Sequence, residues 1–128
     1  MIQVLIVDDE FRIGRLIKKL IHWDEFALEC VDVVDNGGTA FEIIQSDRCP
    51  DVVITDIRMP FMDGLELSEL VKKEFPNIKI IILSGYTEFD YAKQAIHIGV
   101  TDYLLQPITA SKLLEAVKKV ADVIEKAR

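Results

Sequence analysis

The sequence holds only two cysteines, Cys30 and Cys49, with no CxxC pair and no Cys/His cluster around them. That argues against a zinc site or a disulfide framework and for two reduced small hydrophobes in a cytosolic protein. Long apolar runs are missing too: residues 80–83 form a run of only four, where a bilayer span needs about 20. The N-terminus, Met1-Ile2-Gln3-Val4, carries no basic segment, and its apolar stretch breaks at Asp8, so it does not read as a signal peptide. Bases are in deficit, 15 against 22 acids, giving a net charge of −7. A protein that grips a phosphate backbone needs a basic face, so this stretch is not expected to hold DNA or RNA itself. GxxxxGK[ST], GxGxxG, GxSxG and HExxH are all absent, which leaves nucleotide, dinucleotide, esterase and zinc-protease readings without support. No repeat, low-complexity tract or linker interrupts the chain.

What is present is the composition of one folded domain. Half of the 128 residues are apolar and 29% are charged, enough to bury a core. Five short β-branched runs, at 4–7, 31–34, 52–55, 78–83 and 102–105, alternate with five helical patterns. The runs are almost continuously apolar, as in parallel strands covered on both faces. The helical stripes are Ile13, Leu16, Ile17 and Leu20, then Ala40, Ile43 and Ile44, then Leu67, Leu70 and Val71. Ala92, Ala95 and Ile96 make a fourth, and Leu113, Val117, Val120 and Ile124 a fifth. Strict βα alternation predicts right-handed crossovers and an open, doubly wound parallel α/β sheet over residues 1–128.

In such a sheet the ligand sits at the carboxyl ends of the strands. The first strand is followed by Asp8-Asp9-Glu10, the third by Asp56, the fourth by Ser84-Gly85 and the fifth by Gln106-Pro107. The second delivers Asp35-Asn36-Gly37-Gly38, which reads as a turn. Asp8, Asp9 and Asp56 thus converge on one edge. Crowded carboxylates repel, and a divalent cation relieves them; an all-oxygen set suits magnesium. A carboxylate beside magnesium can attack a phosphoryl group to give an aspartyl phosphate, with the Ser84 hydroxyl available to a phosphoryl oxygen. The alternative for Asp8 or Asp9 alone is a cap on the first helix, although capping needs one oxygen and not a repelling pair. Glu10 reads as a first-turn charge, and Ser84 taken alone as a turn hydroxyl. After Asp56, Pro60 and Asp63-Gly64 keep the chain non-helical and leave carbonyls free for a metal.

These residues carry a family resemblance. VDDE at 7–10, DIRMPFMDG at 56–64, LSG at 83–85 and DYLLQP at 102–107 resemble the receiver domains of two-component response regulators over essentially the whole chain. The resemblance implies a flavodoxin-like (βα)5 fold with strand order 2-1-3-4-5, and a phosphoryl group taken onto Asp56 from a sensor histidine kinase. It implies Mg2+ held by Asp9, Asp56 and the backbone carbonyl of Arg58, with Asp8 assisting through water. Ser84 matches the switch hydroxyl and Tyr103 the switch aromatic of a face made by the fourth helix, fifth strand and fifth helix, through which a homodimer would form. The peptide before Pro107 is expected to be cis. IHWDEF at 21–26, ITDIRMP at 54–60 and ILSGYTEFDYAKQAI at 82–96 resemble cytoplasmic regulators with a C-terminal AraC-type DNA-binding domain, a domain not within this chain.

One position departs from the family. A lysine usually precedes the last proline, and here Gln106 stands there. Glutamine donates a hydrogen bond without charge, and charge-assisted bonds are roughly twice as strong. Arg58, two residues beyond Asp56, is placed to lean over the site and compensate in part. Three readings follow: a phosphorylated switch that is not a turnover enzyme, a phosphorylation-independent interaction module, and a magnesium-dependent phosphohydrolase. The last needs an acid/base two residues beyond its nucleophile, where Arg58 cannot serve at neutral pH. His22 and His97 lack partners at ligand spacing and read as surface or capping residues, not as metal ligands or phosphorelay histidines. Trp23 is expected to pack under a loop, Phe89 and Tyr91 to lie on the partner-binding face, with core packing the alternative for Phe89, and the Lys72-Lys73 and Lys118-Lys119 pairs to be solvated faces.

Overall fold

All five apolar runs form parallel strands in the computed structural model, which describes residues 1–85, 89–106 and 108–127, leaving out the side chain of Phe89. The expectations about Pro107 and about the packing of Phe89 lie outside the described residues. The strands are β1 (Ile2–Val7), β2 (Leu28–Val34), β3 (Val52–Thr55), β4 (Lys79–Ser84) and β5 (Asp102–Leu105), in the order β2-β1-β3-β4-β5. The helices are α1 (Phe11–Leu20), α2 (Gly37–Ile44), α3 (Gly64–Glu74), α4 (Phe89–Ile98) and α5 (Ala110–Ala127). The strand alternation splits the core in two. Val4, Ile6, Ile54, Ile81 and Leu83 point to α1 and α5, while Leu5, Val7, Val53, Ile80 and Ile82 point to α2, α3 and α4.

The register fixes the site. Val7 is level with Thr55, and Thr55 with Ile82. Asp8 and Asp56 therefore leave neighbouring strands side by side. The Asp56 N–H donates to the Val7 carbonyl at 3.0 Å and the Asp8 N–H to the Val34 carbonyl at 3.0 Å, so both backbones are held at the sheet edge.

Some details depart from the expectation. β2 starts at Leu28, three residues early, and its pairing with β1 skips Val31, a bulge whose carbonyl accepts from Arg48 Nη2 at 3.0 Å. Asp35-Asn36-Gly37-Gly38 is not a turn: Asn36 caps α2 by accepting from the Thr39 N–H at 2.7 Å, and the helix begins at Gly37. Leu16 and Ile96, placed in apolar stripes, are 56% and 78% exposed. Each lies at the margin of its stripe, beyond the reach of the sheet. Lys72 is half-buried and not simply a solvated face; its ammonium donates to the carbonyls of Pro76 and Ile78 and tethers the α3–β4 connection, and burial lowers its pKa. Trp23 is buried in a 3₁₀ turn, Trp23–Phe26, with Nε1 donating to the Lys18 carbonyl at 2.8 Å. Both cysteines are half-buried, and burial pushes their thiols up, away from the reactive thiolate.

Ala27, which ends that turn, has a left-handed backbone with φ 57°. That conformation strains an L side chain, and glycine adopts it freely. Ala27→Gly is expected to stabilise the fold by about 0.5–1 kcal/mol, after the entropy glycine adds to the unfolded chain. Urea denaturation should show a higher midpoint at unchanged slope; a lower midpoint would refute the strain.

Candidate phosphoacceptor and metal site

Asp8 is 2% exposed, and its Oδ1 accepts from the Glu10 N–H at 2.9 Å. Glu10, at the position before α1, makes no side-chain cap, so neither the capping alternative for Asp8 and Asp9 nor a first-turn place for Glu10 describes this helix. Asp56 is half-buried at the end of β3, with Oδ1 accepting from the Ile57 N–H at 2.7 Å. Asp9 is exposed. Each of the three offers a carboxylate oxygen within 4.8 Å of the other two, the one such grouping of His, Cys, Asp or Glu among the described residues.

Electrostatics follow from this crowding. Burial raises the Asp8 carboxyl from 3.8 to about 7, opposed by the Glu10 N–H and reinforced by the charges of Asp56, Asp9 and Glu10. Asp56 is raised as well, by burial first, against the pull of the Ile57 N–H and with Asp9 and Glu10 adding repulsion. The trio gathers three carboxylates at one place, a donor set fit for a hard divalent cation.

The loop after β3 is built to keep Asp56 in place. Ile57 and Met59 are buried and pin the chain on both sides of exposed Arg58. The Thr55 hydroxyl donates to the Asp56 carbonyl at 2.9 Å, and the Gly64 N–H to the Ile57 carbonyl at 2.7 Å. Gly64 lies so close that a Cβ there would overlap the Asp56 carbonyl. Asp63 is structural: it caps α3 in a reciprocal box with Glu66. Phe61, at φ 69° and fully exposed, forms the tip.

Ser84 is fully buried at the end of β4, its carbonyl accepting from the Gln106 N–H at 2.7 Å. The Gln106 Oε1 lies 3.8 Å from where a Gly85 Cβ would stand, so the amide is on the β4 side of the site. Tyr103 is half-buried against the core beneath α2, α3 and α4. Arg58 Nε donates to the Tyr91 hydroxyl at 3.2 Å, with the guanidinium carbon 5.8 Å from the ring centre. Sequence reasoning missed this pair, since 33 residues separate its members and no local pattern links them. The close fit of Gly64 was missed as well, its only trace being an Asp-Gly turn signal.

The fold and the acidic edge define a class: a five-stranded doubly wound sheet presenting carboxylates at its switch point. Residues 4–118 match the family described as response regulator receiver domain, and the chain belongs to that family. It is 37% identical over 120 residues to the Bacillus subtilis transcriptional regulatory protein YesN, covering 94% of this chain and 32% of YesN. It is 36% identical over 113 residues to the transcriptional regulatory protein HptR of Staphylococcus aureus, covering 88% of this chain and 44% of HptR. The chain thus spans about a third to somewhat under half of these curated relatives. Among solved structures, the REC domain of AraT, a response regulator from Geobacillus stearothermophilus, is 41% identical, with a TM-score of 0.88 and coverage of 98% and 96%. A CheY-like receiver domain from Methanospirillum hungatei is 26% identical, with a TM-score of 0.90 and coverage of 100% and 99%.

Proposed function

We propose that this receiver domain is a phosphorylation switch in which Asp56 accepts a phosphoryl group from a sensor histidine kinase. The observation that carries the reading is the meeting of Asp8, Asp9 and Asp56 at one edge of the sheet, with Asp56 fixed at the head of its loop. An Asp56 oxygen attacks phosphorus, the donor N–P bond breaks, and its electron pair returns to the imidazole nitrogen. Asp9, Asp56 and the Arg58 carbonyl would hold Mg2+, with Asp8 assisting; the ion supplies charge neutralisation for the transfer. Ser84 hydrogen-bonds the phosphoryl group, Tyr103 follows, and the α4-β5-α5 face changes. Ile96, Leu105 and Val123, exposed apolar side chains on those three elements, support a homodimer there. DNA would be bound by a separate effector domain of AraC type, in the cytoplasm; no helix among the described residues is long and apolar enough to cross a membrane. The neutral amide of Gln106 favours a second reading, a module that binds partners without phosphorylation.

Incubation with an acyl phosphate and Mg2+, followed by a phosphate-affinity gel, separates the two. The switch gives a retarded band that chelator abolishes. No band in the wild type, but one in Gln106→Lys, supports the second reading.

The cation site makes a pH-dependent prediction. Asp8 holds its proton more tightly folded, at about 7, than unfolded, at 3.8. Its contribution to stability is complete below the unfolded value and is lost as pH rises through 7, by up to about 1.4 kcal/mol per pH unit. Mg2+ competes with that proton, so its stabilisation grows in the opposite direction. The rise in melting temperature on adding Mg2+ should be larger at pH 8 than at pH 6. Equal shifts at both would remove Asp8 from the metal site.

A further inference from the structure

We propose that Phe61, at the tip of the loop that carries Asp56, is the apolar anchor on which the phosphodonor protein docks. This rests on Asp56 being the phosphoacceptor and adds the residue that seats the donor. Phe61 carries two penalties that no contact in the fold offsets. Its side chain is 106% exposed, the highest value for a large apolar residue among those described. Its backbone has φ 69°, and across it the Met62 N–H donates to the Pro60 carbonyl at 2.8 Å. That closes a γ-turn of the positive-φ kind, which is rare and strained. Glycine or asparagine would adopt the same backbone with less strain. A strained backbone under an aromatic ring left in water points to a function outside the fold.

The tip is held on both sides. Met59 before it is buried, and Met62 after it lies against Gly37 at the start of α2, so close that a Cβ on Gly37 would stand 2.9 Å from its sulfur. An aromatic ring presented on a fixed backbone loses little freedom when a partner covers it. Its place names that partner. Phe61 follows Asp56 by five residues on the same loop, so a protein that brings phosphorus within bonding distance of Asp56 lies across this edge. A small phosphodonor reaches the carboxylate without covering the tip. A protein donor spreads a folded surface around its phosphohistidine and covers both. Asp9 and Glu10 are exposed at the end of β1, the strand beside β3. The donor surface that fits therefore has an apolar pocket for the ring and basic side chains next to it.

The test compares two donors in the presence of Mg2+. With an acyl phosphate, an Asp56 oxygen bonds phosphorus and the acyl C–O–P linkage breaks to release carboxylate, which reads the chemistry alone. With an autophosphorylated histidine kinase, the N–P bond breaks instead, and the rate also reads docking. The kinase used is the fastest donor to the wild type from a panel of purified sensor kinases. Phe61→Asn is expected to label with acyl phosphate at the wild-type rate and to melt no lower, since asparagine visits positive φ more readily. Kinase transfer to it should fall about thirtyfold in kcat/KM, mostly through KM, the scale of losing one aromatic anchor. Phe61→Tyr keeps the ring and should accept from the kinase like the wild type. Wild-type transfer to Phe61→Asn, equal slowing with both donors, a lower melting temperature, or slow transfer to Phe61→Tyr would each overturn the anchor alone. So would a wild type that acyl phosphate labels and no kinase does. A wild type that acyl phosphate leaves unlabelled would overturn the phosphoacceptor reading beneath it.

Discussion

Asp56→Asn is expected to reduce phosphoryl labelling to background while raising the melting temperature of the metal-free protein. The first effect is chemical: an amide oxygen shares its electron pair with nitrogen and is a poor nucleophile. The neighbours do not take over, because Asp8 is buried with its carboxyl raised to about 7, and Asp9 leaves the sheet a strand away. The second effect is electrostatic. Burial and the charges of Asp9 and Glu10 hold the Asp56 carboxyl above its ordinary value, so its ionised form opposes folding at neutral pH. Asparagine removes that charge and keeps an oxygen for the Ile57 N–H. The order should reverse with Mg2+, which stabilises wild type more than the variant. A variant that labels like wild type, or melts lower without metal, would contradict the assignment.

Gly64→Ala has the largest expected effect on the fold. The new Cβ would overlap the Asp56 carbonyl, so either the end of β3 or the first turn of α3 must move. Both are fixed, the one by the Thr55 hydroxyl and the Val7 carbonyl, the other by the Asp63–Glu66 box. A loss of about 3 kcal/mol or more is expected, or roughly 10 °C in melting temperature for a domain of this size. Helix propensity alone predicts the opposite sign, since alanine is the better helix former by about 1 kcal/mol. The direction of the shift therefore isolates the steric term. Mg2+ binding should weaken alongside, because the displaced carbonyl belongs to the residue that carries the acceptor carboxylate.

Strand number, strand type and the acidic edge were legible because a parallel sheet turns a one-dimensional rule into a place. Apolar runs must be strands, and the residues just after them share an edge. Asp8 and Asp56 meet on that rule alone, before any register is known. The rule says nothing of how far a helix overhangs the sheet, so Leu16 and Ile96 looked like core and are not. Nor does it distinguish a turn from a cap: Asn36 has the chemistry of both, and the length of the helix behind it decides. Lys72 was hidden because its partners are carbonyls of Pro76 and Ile78, a contact made by chain reversal and not by charge pattern. The Arg58–Tyr91 contact was hidden for a related reason, as α4 is separated from the β3 loop in the chain by two elements, α3 and β4. Gln106, by contrast, was legible as a departure and lies beside Gly85 in the fold.

Tandem mass spectrometry of the wild-type chain after incubation with an acyl phosphate and Mg2+ locates the phosphoryl group directly. A single acyl phosphate is expected on the peptide carrying Asp56, absent when chelator replaces Mg2+. A phosphoryl group on Asp8 or Asp9, or modification independent of the metal, would contradict it.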